Sequence, residues 1–265
     1  MLAIVWMSTI SSNARPGVVR IAATADLHYG RYSPGTWRQL AADAAAEADV
    51  LVICGDLTDD GRADEGRALG RELTQTTTIP IVAVLGNHDF ESDQVPDVRS
   101  ALAELGIVVL DGESCEIKGV GFAGTKGFGG GFGSRALSAW GEPVVKQFVQ
   151  EAVAEALKLE TALARLRTRT KLAILHYAPV RATVEGEAED ILPFLGSSRL
   201  EEPLNRYGVA AVCHGHAHHG RPEGRTSAGA PVYNVSLPVI ARIDPSRRFR
   251  VIEVETDLSG PVADA

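Results

Sequence analysis

Seven histidines stand in this chain of 265 residues, and each falls at or just beyond the end of an apolar run. His28 closes Asp26-Leu27-His28 after the first run, and His88 sits in Gly86-Asn87-His88-Asp89 after the third. His176 follows Leu172 to Leu175, and His214, His216, His218 and His219 cluster behind the run from Val209. Asp56 takes the same position in Gly55-Asp56-Leu57-Thr58-Asp59, after Val50 to Cys54. Imidazole and carboxylate are the side chains that bind transition metals and move protons near neutral pH. Asp26 and His28 are two apart, so on an extended segment both point the same way and can grip one ion; His216 and His218 share that offset. Asn87 and His88 are adjacent and should diverge, one toward a metal and the other toward substrate. Glycine precedes Asp56, Asn87 and His216, where the backbone must turn tightly beside a ligand.

The elements that must position these residues read as alternating strands and helices. Val18 to Ala23, Val50 to Cys54 and Ile81 to Leu85 are apolar enough for strands covered on both faces. Helices are expected at Trp37 to Ala48, with Thr36 as N-cap, near Asp64 to Thr76, and near Val95 to Leu105. That order argues for parallel strands with crossover helices. In open α/β sheets ligands bind beyond the carboxyl ends of the strands. Five strand ends therefore deliver the histidines, the aspartates and Asn87 to one rim.

Shorter strands follow at Ile107 to Leu110, Cys115 to Ile117 and Val120 to Ala123, then a glycine-rich stretch from Gly124 to Gly133. A helix over about Pro143 to Arg167 carries Val145, Val149, Ala152, Ala156, Leu159, Leu163 and Leu166 on one stripe, which packs on its own sheet or, as the alternative, forms a coiled-coil seam. Strands resume at Leu172 to Leu175, Val209 to Val212, Pro231 to Val235 and Phe249 to Val254. With no repeat or linker, residues 18–257 read as one domain, flanked by a poorly ordered extension at 1–17 and a tail at 258–265.

The motif blocks resemble those of the calcineurin-like metallophosphoesterases, whose signature runs DxH, GD, GNH plus an acid, a lone His, and GHxH. Here they are Asp26-Leu27-His28, Gly55-Asp56, Gly86-Asn87-His88-Asp89, His176 and Gly215-His216-Ala217-His218, all present and in order. The segment from Gly55 to Asp59 is similar to the bacterial Icc-like phosphodiesterase branch. The resemblance implies an α/β fold, a four-layer α-β-β-α sandwich with two mixed β-sheets. It implies two divalent metal ions, manganese, iron or zinc. Asp26, His28, Asp56 and His218 would hold one, and Asp56, Asn87, His176 and His216 the other, with Asp56 bridging. His88 would contact the phosphate and assist the leaving oxygen, with Asp89 or a nearby acid such as Asp59 orienting it. A metal-bridging hydroxide would attack a small phosphodiester or phosphomonoester in line. Two ions, two carboxylates and a hydroxide leave the centre near about +1, enough to attract phosphate.

The bulk numbers set bounds. The chain is 45% hydrophobic and 23% charged, an ordinary globular balance. A net charge of −8 argues against sequence-independent nucleic-acid binding, and hence against a nuclease of the same fold. A non-catalytic scaffold should have lost ligands, and none is missing. Cys54, Cys115 and Cys213 form no disulfide pattern and read as buried thiols. No run spans a bilayer, and the apolar stretch Leu2 to Met7 lacks a basic flank, so a cytoplasmic location is expected, with Met1 or Met7 as the start.

Other residues leave alternatives open. The glycine-rich stretch fits neither GxGxxG nor a P-loop; it reads as a mobile lid or irregular turn, or as a substrate-facing loop whose Phe128 or Phe132 touches the leaving group. Arg31 is a phosphate contact or an exposed arginine. His214 and His219 fall outside the motif positions, and His214 keeps a two-residue offset from His216 that suits a supporting group or a competing ligand. The segment Tyr177 to Tyr207 shapes access, and Asn234-Val235-Ser236 is a sequon only in an exported chain.

Overall fold

In the computed structural model, which describes residue 15 and residues 17–256, side-chain alternation along the strands sorts the core into three layers of contact. Ile21, Ala23, Val50, Val52 and Cys54 face one way, toward Phe122, Leu172, Ile174 and Cys213 of a second sheet. Ala22, Leu51 and Ile53, at the intervening positions, face the other way, toward helices. Period-two alternation with both sets apolar is what a strand covered on two faces requires.

The first sheet is built from β1 (Val18–Thr24), β2 (Val50–Cys54), β3 (Ile81–Val84), β4 (Val108–Val109) and β11 (Arg250–Glu255). Its order is β11-β1-β2-β3-β4, with only β11 antiparallel. The helices α1 (Thr36–Glu47), α2 (Ala63–Thr74) and α3 (Val95–Ala103) cross over on its outer face, where Leu40, Leu69 and Leu102 are fully buried. The second sheet is ordered β5-β6-β7-β8-β10-β9 and is also mixed. Its members are β5 (Glu113–Ile117), β6 (Val120–Gly124), β7 (Thr170–Ile174), β8 (Ala211–His214), β9 (Glu223–Arg225) and β10 (Pro231–Asn234). On its outer face lies α4 (Pro143–Arg165), whose Leu159, Ala162 and Leu163 pack against Ala173 and Val212. Among the described residues there are three further short α-helices: α5 (Leu192–Leu195), α6 (Glu201–Tyr207) and α7 (Leu237–Ile243). The expected α-β-β-α sandwich is what the chain forms, and the long apolar stripe serves its own sheet.

Several local expectations shift. Thr36 does not cap α1; its hydroxyl donates to Ser33 O (2.7 Å). Glu72 of α2 supplies the acceptors instead, taking the Gly35 and Trp37 amides at 2.7 and 3.2 Å. A carboxylate from another helix thus does the work of a local cap. The strand expected at Val209 begins at Ala211 and runs to His214, which places His214 inside the sheet rather than beyond it. All three cysteines are free, with Cys54 and Cys213 buried. Asn234 is 2% exposed and bonded to Ala217 O (2.7 Å), so it is no glycosylation acceptor as folded. The extension at 1–17, apart from Arg15 and Gly17, and the tail at 258–265 lie outside the described residues, as do both candidate starts.

Candidate metal centre

The backbone beyond β1 and β2 stays paired after the strands end. The amides of Asp26, His28 and Tyr29 donate to the carbonyls of Gly55, Asp56 and Leu57 at 2.9–3.0 Å. It does so in left-handed turns, not as an extended ribbon. Asp26, His28, Asp56 and His216 have φ of +61°, +43°, +50° and +69°, four of the six non-glycine residues in that region among those described. Such conformations cost about 1–3 kcal/mol each and persist only where the surroundings enforce them. The expectation that Asp26 and His28 align by strand alternation is therefore corrected: the turns aim them. The same turn at His216 sends it and His218 to different clusters.

Two glycines let the loops close. A Cβ on Gly55 would sit 2.6 Å from Cγ of His176, and one on Gly86 would overlap Asp56. Space there is reserved for imidazole and carboxylate.

Three groups of ligand-type atoms result, each within 4.8 Å: Asp26, His28 and His218; Asp56, His176 and His216; and His28, Asp59 and His88. The first two hold the residues expected as ligands. Asp56 faces both. Its Oδ2 lies 3.7 Å from His28 Nε2, and its Oδ1 lies 3.4 Å from His176 Nε2. Asp26 Oδ1 is 3.2 Å from His218 Nε2. Asn87 joins the second group through its Oδ1, 2.9 Å from His176 Nε2. All seven residues named as ligands from the sequence converge on one rim.

The residues fit a cation. The Nδ1–H of His176 can donate only to Cys54 O (2.9 Å), which turns the Nε2 lone pair toward the oxygens of Asn87 and Asp56. Three acceptors then face one another with no proton between them, an arrangement that a metal ion satisfies. Neither ring nitrogen of His28 has a hydrogen-bond partner although both are buried. Burial draws His28 down to about 4 and His216 to about 3, against the pull of Asp26, and holds His176 well below the ordinary value. Neutral imidazoles keep their lone pairs for coordination. Burial, then the charges of Asp26 and Asp89, pushes the Asp56 carboxyl well up, a strain that nearby positive charge would relieve. His218 moves the other way, raised first by its hydrogen bond to Asp26.

A family model for calcineurin-like phosphoesterases matches residues 19–220. The chain belongs to that family. Metal-dependent hydrolysis of phosphate esters is the family's chemistry. Among solved structures, the phosphopantetheinyl hydrolase PptH of Mycobacterium tuberculosis superposes with a TM-score of 0.63 at 17% identity. The alignment covers 92% of this chain and 98% of that one. The protein TT1561 of Thermus thermophilus gives 0.50 at 17% identity, over 90% of this chain and 99% of the other. At such identities these likenesses speak for the fold alone. No curated protein matches. Among the described residues no helix is long and apolar enough to cross a membrane.

Around these candidate ligands the chain places its remaining candidates unequally. His88 touches Asp59, not Asp89: its Nδ1 donates to Asp59 O (2.8 Å), with Asp59 Oδ1 at 3.8 Å. Asp89 is fully buried and accepts from the amides of Leu57, Thr58 and Gly86 and from the Thr58 hydroxyl, at 2.6–3.2 Å. It ties the loop after β2 to the loop after β3 and so holds Asp56 and Asn87 in place. Arg31 pairs with Asp59 and is half exposed. His214 is buried with both ring nitrogens engaged, by Gly215 O and Thr183 Oγ1 (2.8 Å each), so it is no competing ligand. His219 is exposed.

The glycine-rich stretch is a packed irregular loop. Its Gly130 and Gly131 amides donate to Pro193 O (2.6 Å) and Gly196 O (2.9 Å), within the segment Tyr177 to Tyr207. Phe128 lines a cavity that Asn87 also lines, whereas Phe132 packs against Ala178, Val184, Leu195 and Ala217. Sequence reading missed Lys126, which follows β6 as the other functional residues follow their strands.

Proposed function

We propose that this chain is a dinuclear metal-dependent phosphoesterase that hydrolyses a small phosphodiester or phosphomonoester. The observation that carries the reading is the convergence of lone pairs from His176, Asn87 and Asp56 beside a second cluster of Asp26, His28 and His218. Asp26, His28, Asp56 and His218 would hold one ion, and Asp56, Asn87, His176 and His216 the other, with Asp56 shared between them. When bound, such ions offset the charge of the phosphate and lower the pKa of the attacking water. The imidazole and carboxylate set suits manganese, iron or zinc.

His88 acts on the ester itself. With Nδ1–H committed to the Asp59 carbonyl, its Nε2 is left to face the ester; in the imidazolium form that nitrogen carries a second proton, which hydrogen-bonds a phosphate oxygen and passes to the leaving alcohol. Asp59 orients the ring, and Arg31 steadies Asp59 by ion pairing. Diesters are favoured by the Icc-like spelling of the Gly55 to Asp59 loop and by the lack of a large inserted cap among the described residues. A cytoplasmic setting goes with this reading, as does one domain over residues 18–257.

The test is a metal-reconstitution panel on purified protein, assayed with bis(p-nitrophenyl) phosphate, p-nitrophenyl phosphate and cyclic nucleotides. Turnover with at least one of manganese, iron or zinc, and two metal equivalents per chain, are expected. Negligible metal content at saturating supply would leave a non-catalytic scaffold as the better account.

A further inference from the structure

Beside the metal centre lies a cavity of about 470 Å³, within the range of small-ligand sites. Asn87, a ligand-side residue, forms one wall, and Phe90, Phe128, Phe148, Tyr177 and Lys126 form others. Phe128 and Phe148 meet at 4.8 Å between ring centroids, and Phe128 and Tyr177 at 5.8 Å. The mouth is apolar as well: Phe90, Val144 and Phe194 are 42%, 70% and 57% exposed. Phe194 packs edge-on to Phe148 at 6.1 Å, and its carbonyl accepts from His216 (3.2 Å), which joins the rim to the metal cluster.

Lys126 is 9% exposed, yet no carboxylate lies within ion-pairing distance of it among the described residues. The nearby Glu155 is already engaged by Thr125, Gly127 and Lys158. Of the three ammonium donors only one has an acceptor, Gly127 O at 3.0 Å. The remaining contacts are ring faces, Phe128 at 4.9 Å and Phe90 and Tyr177 at 5.3 Å. A buried cation with donors to spare, in a cavity that opens on a phosphate-ester site, is poised for an anionic oxygen.

We infer that this cavity receives the organic half of the ester, an alcohol bearing an aromatic ring, while Lys126 binds an oxygen of the phosphoryl end. Ring walls favour a flat ring over an alkyl chain, because aromatic pairs gain energy beyond the area they bury. The inference rests on reading the neighbouring centre as a phosphoesterase. The ring comes from an aryl alcohol or from a nucleobase; Glu151, also on the cavity wall, offers an acceptor that only a base amino group would use.

The test measures binding as well as rate. Metal-loaded protein is titrated calorimetrically with phenylphosphonate and methylphosphonate, and p-nitrophenyl phosphate, adenosine monophosphate and glycerol phosphate are compared as substrates. Phenylphosphonate should bind at least about tenfold more tightly than methylphosphonate, since a factor of ten needs only about 1.4 kcal/mol. Phe148→Ala should erase that gap, and Phe148→Leu should narrow it in a side chain that keeps the packing. Lys126→Gln should weaken both phosphonates alike. Adenosine monophosphate outpacing the aryl ester, with the lead lost in Glu151→Gln, would assign the ring to a nucleobase. The reverse order would assign it to an aryl alcohol. Equal phosphonate affinities in the unaltered protein, or a gap indifferent to both Phe148 variants, would overturn the inference. Absence of turnover with the gap intact would count against the phosphoesterase reading while leaving the aromatic subsite in place.

Discussion

Two buried carboxylates, Asp89 and Glu155, perform the same task on opposite sides of the site, and the contrast between them separates chemistry from selectivity. Asp89 accepts three backbone amides and the Thr58 hydroxyl, and no cation contacts it among the described residues. Glu155 accepts the Thr125 hydroxyl and the Gly127 amide and pairs with Lys158 at 2.7 Å. The first pins the turns that carry Asp56 and Asn87. The second, reaching inward from α4, pins the loop that carries Lys126 and Phe128. One side is thus set by main-chain hydrogen bonds between adjacent parallel strands, a rigid frame that fixes ligand positions. The other is set by helix side chains and stacked rings, which can change without disturbing the frame.

The comparison breaks most decisively at Asp56. Asp56→Asn should abolish turnover with every metal and lower bound metal, read by elemental analysis, because the residue faces both clusters. Chelation of the unaltered protein should then reproduce the variant's thermal stability. An ion present at 1,000 times its dissociation constant stabilises by about 4 kcal/mol, so the stabilisation by metal should be large in one protein and small in the other. Next is His88→Ala, which removes the group proposed to act on the ester; its ring also packs edge-on against His28, at 4.5 Å between centroids. Metal content should hold while hydrolysis slows by about 10²–10⁴-fold. Unchanged rates would strip His88 of its role.

Asp89→Ala and Glu155→Ala sharpen the contrast directly. Each removes a buried acceptor of charge-assisted bonds, and each should cost about 3 kcal/mol in urea unfolding. The consequences should then diverge: Asp89→Ala loses metal affinity, whereas Glu155→Ala keeps the metals and loses discrimination between aryl and alkyl phosphonates. Parallel losses in both variants would erase the proposed division of labour.

That division also explains what could be read in the sequence. The convergence of the candidate ligands is legible because the chain runs straight from strand to candidate residue, so order and spacing encode position even where left-handed turns replace an extended segment. Asp26 and His28 were placed together for the wrong reason, since left-handed turns rather than an extended segment align them. The layered sheets were legible from apolar runs whose alternate residues face different layers. The cavity was not. Phe90, Phe128, Phe148 and Tyr177 come from four separate segments, and no spacing relates them. Glu155 lies beside the apolar stripe of α4, where a charge next to Ala152, Ala156 and Leu159 reads as solvent-facing. Asp89 was visible beside His88, but its neighbour in sequence is not its partner in space: the imidazole turns to Asp59, in the loop that follows the preceding strand.

Arg31 supplies the smallest effect and the finest test. Its guanidinium pairs with Asp59, whose carbonyl accepts from His88, so it acts on the ester through that chain. The arginine is half exposed and Asp59 partly buried, and ion pairs open to solvent on one side contribute about 0–1 kcal/mol. Arg31→Ala should therefore leave thermal stability within that margin and slow hydrolysis only several-fold. Because Asp59 belongs to the metal-side frame, the slowing should be equal for aryl and alkyl esters and should fall on kcat. A rise in KM that differed between the two ester classes would instead put the guanidinium in direct contact with substrate and move Arg31 across the boundary, from the frame to the selective wall.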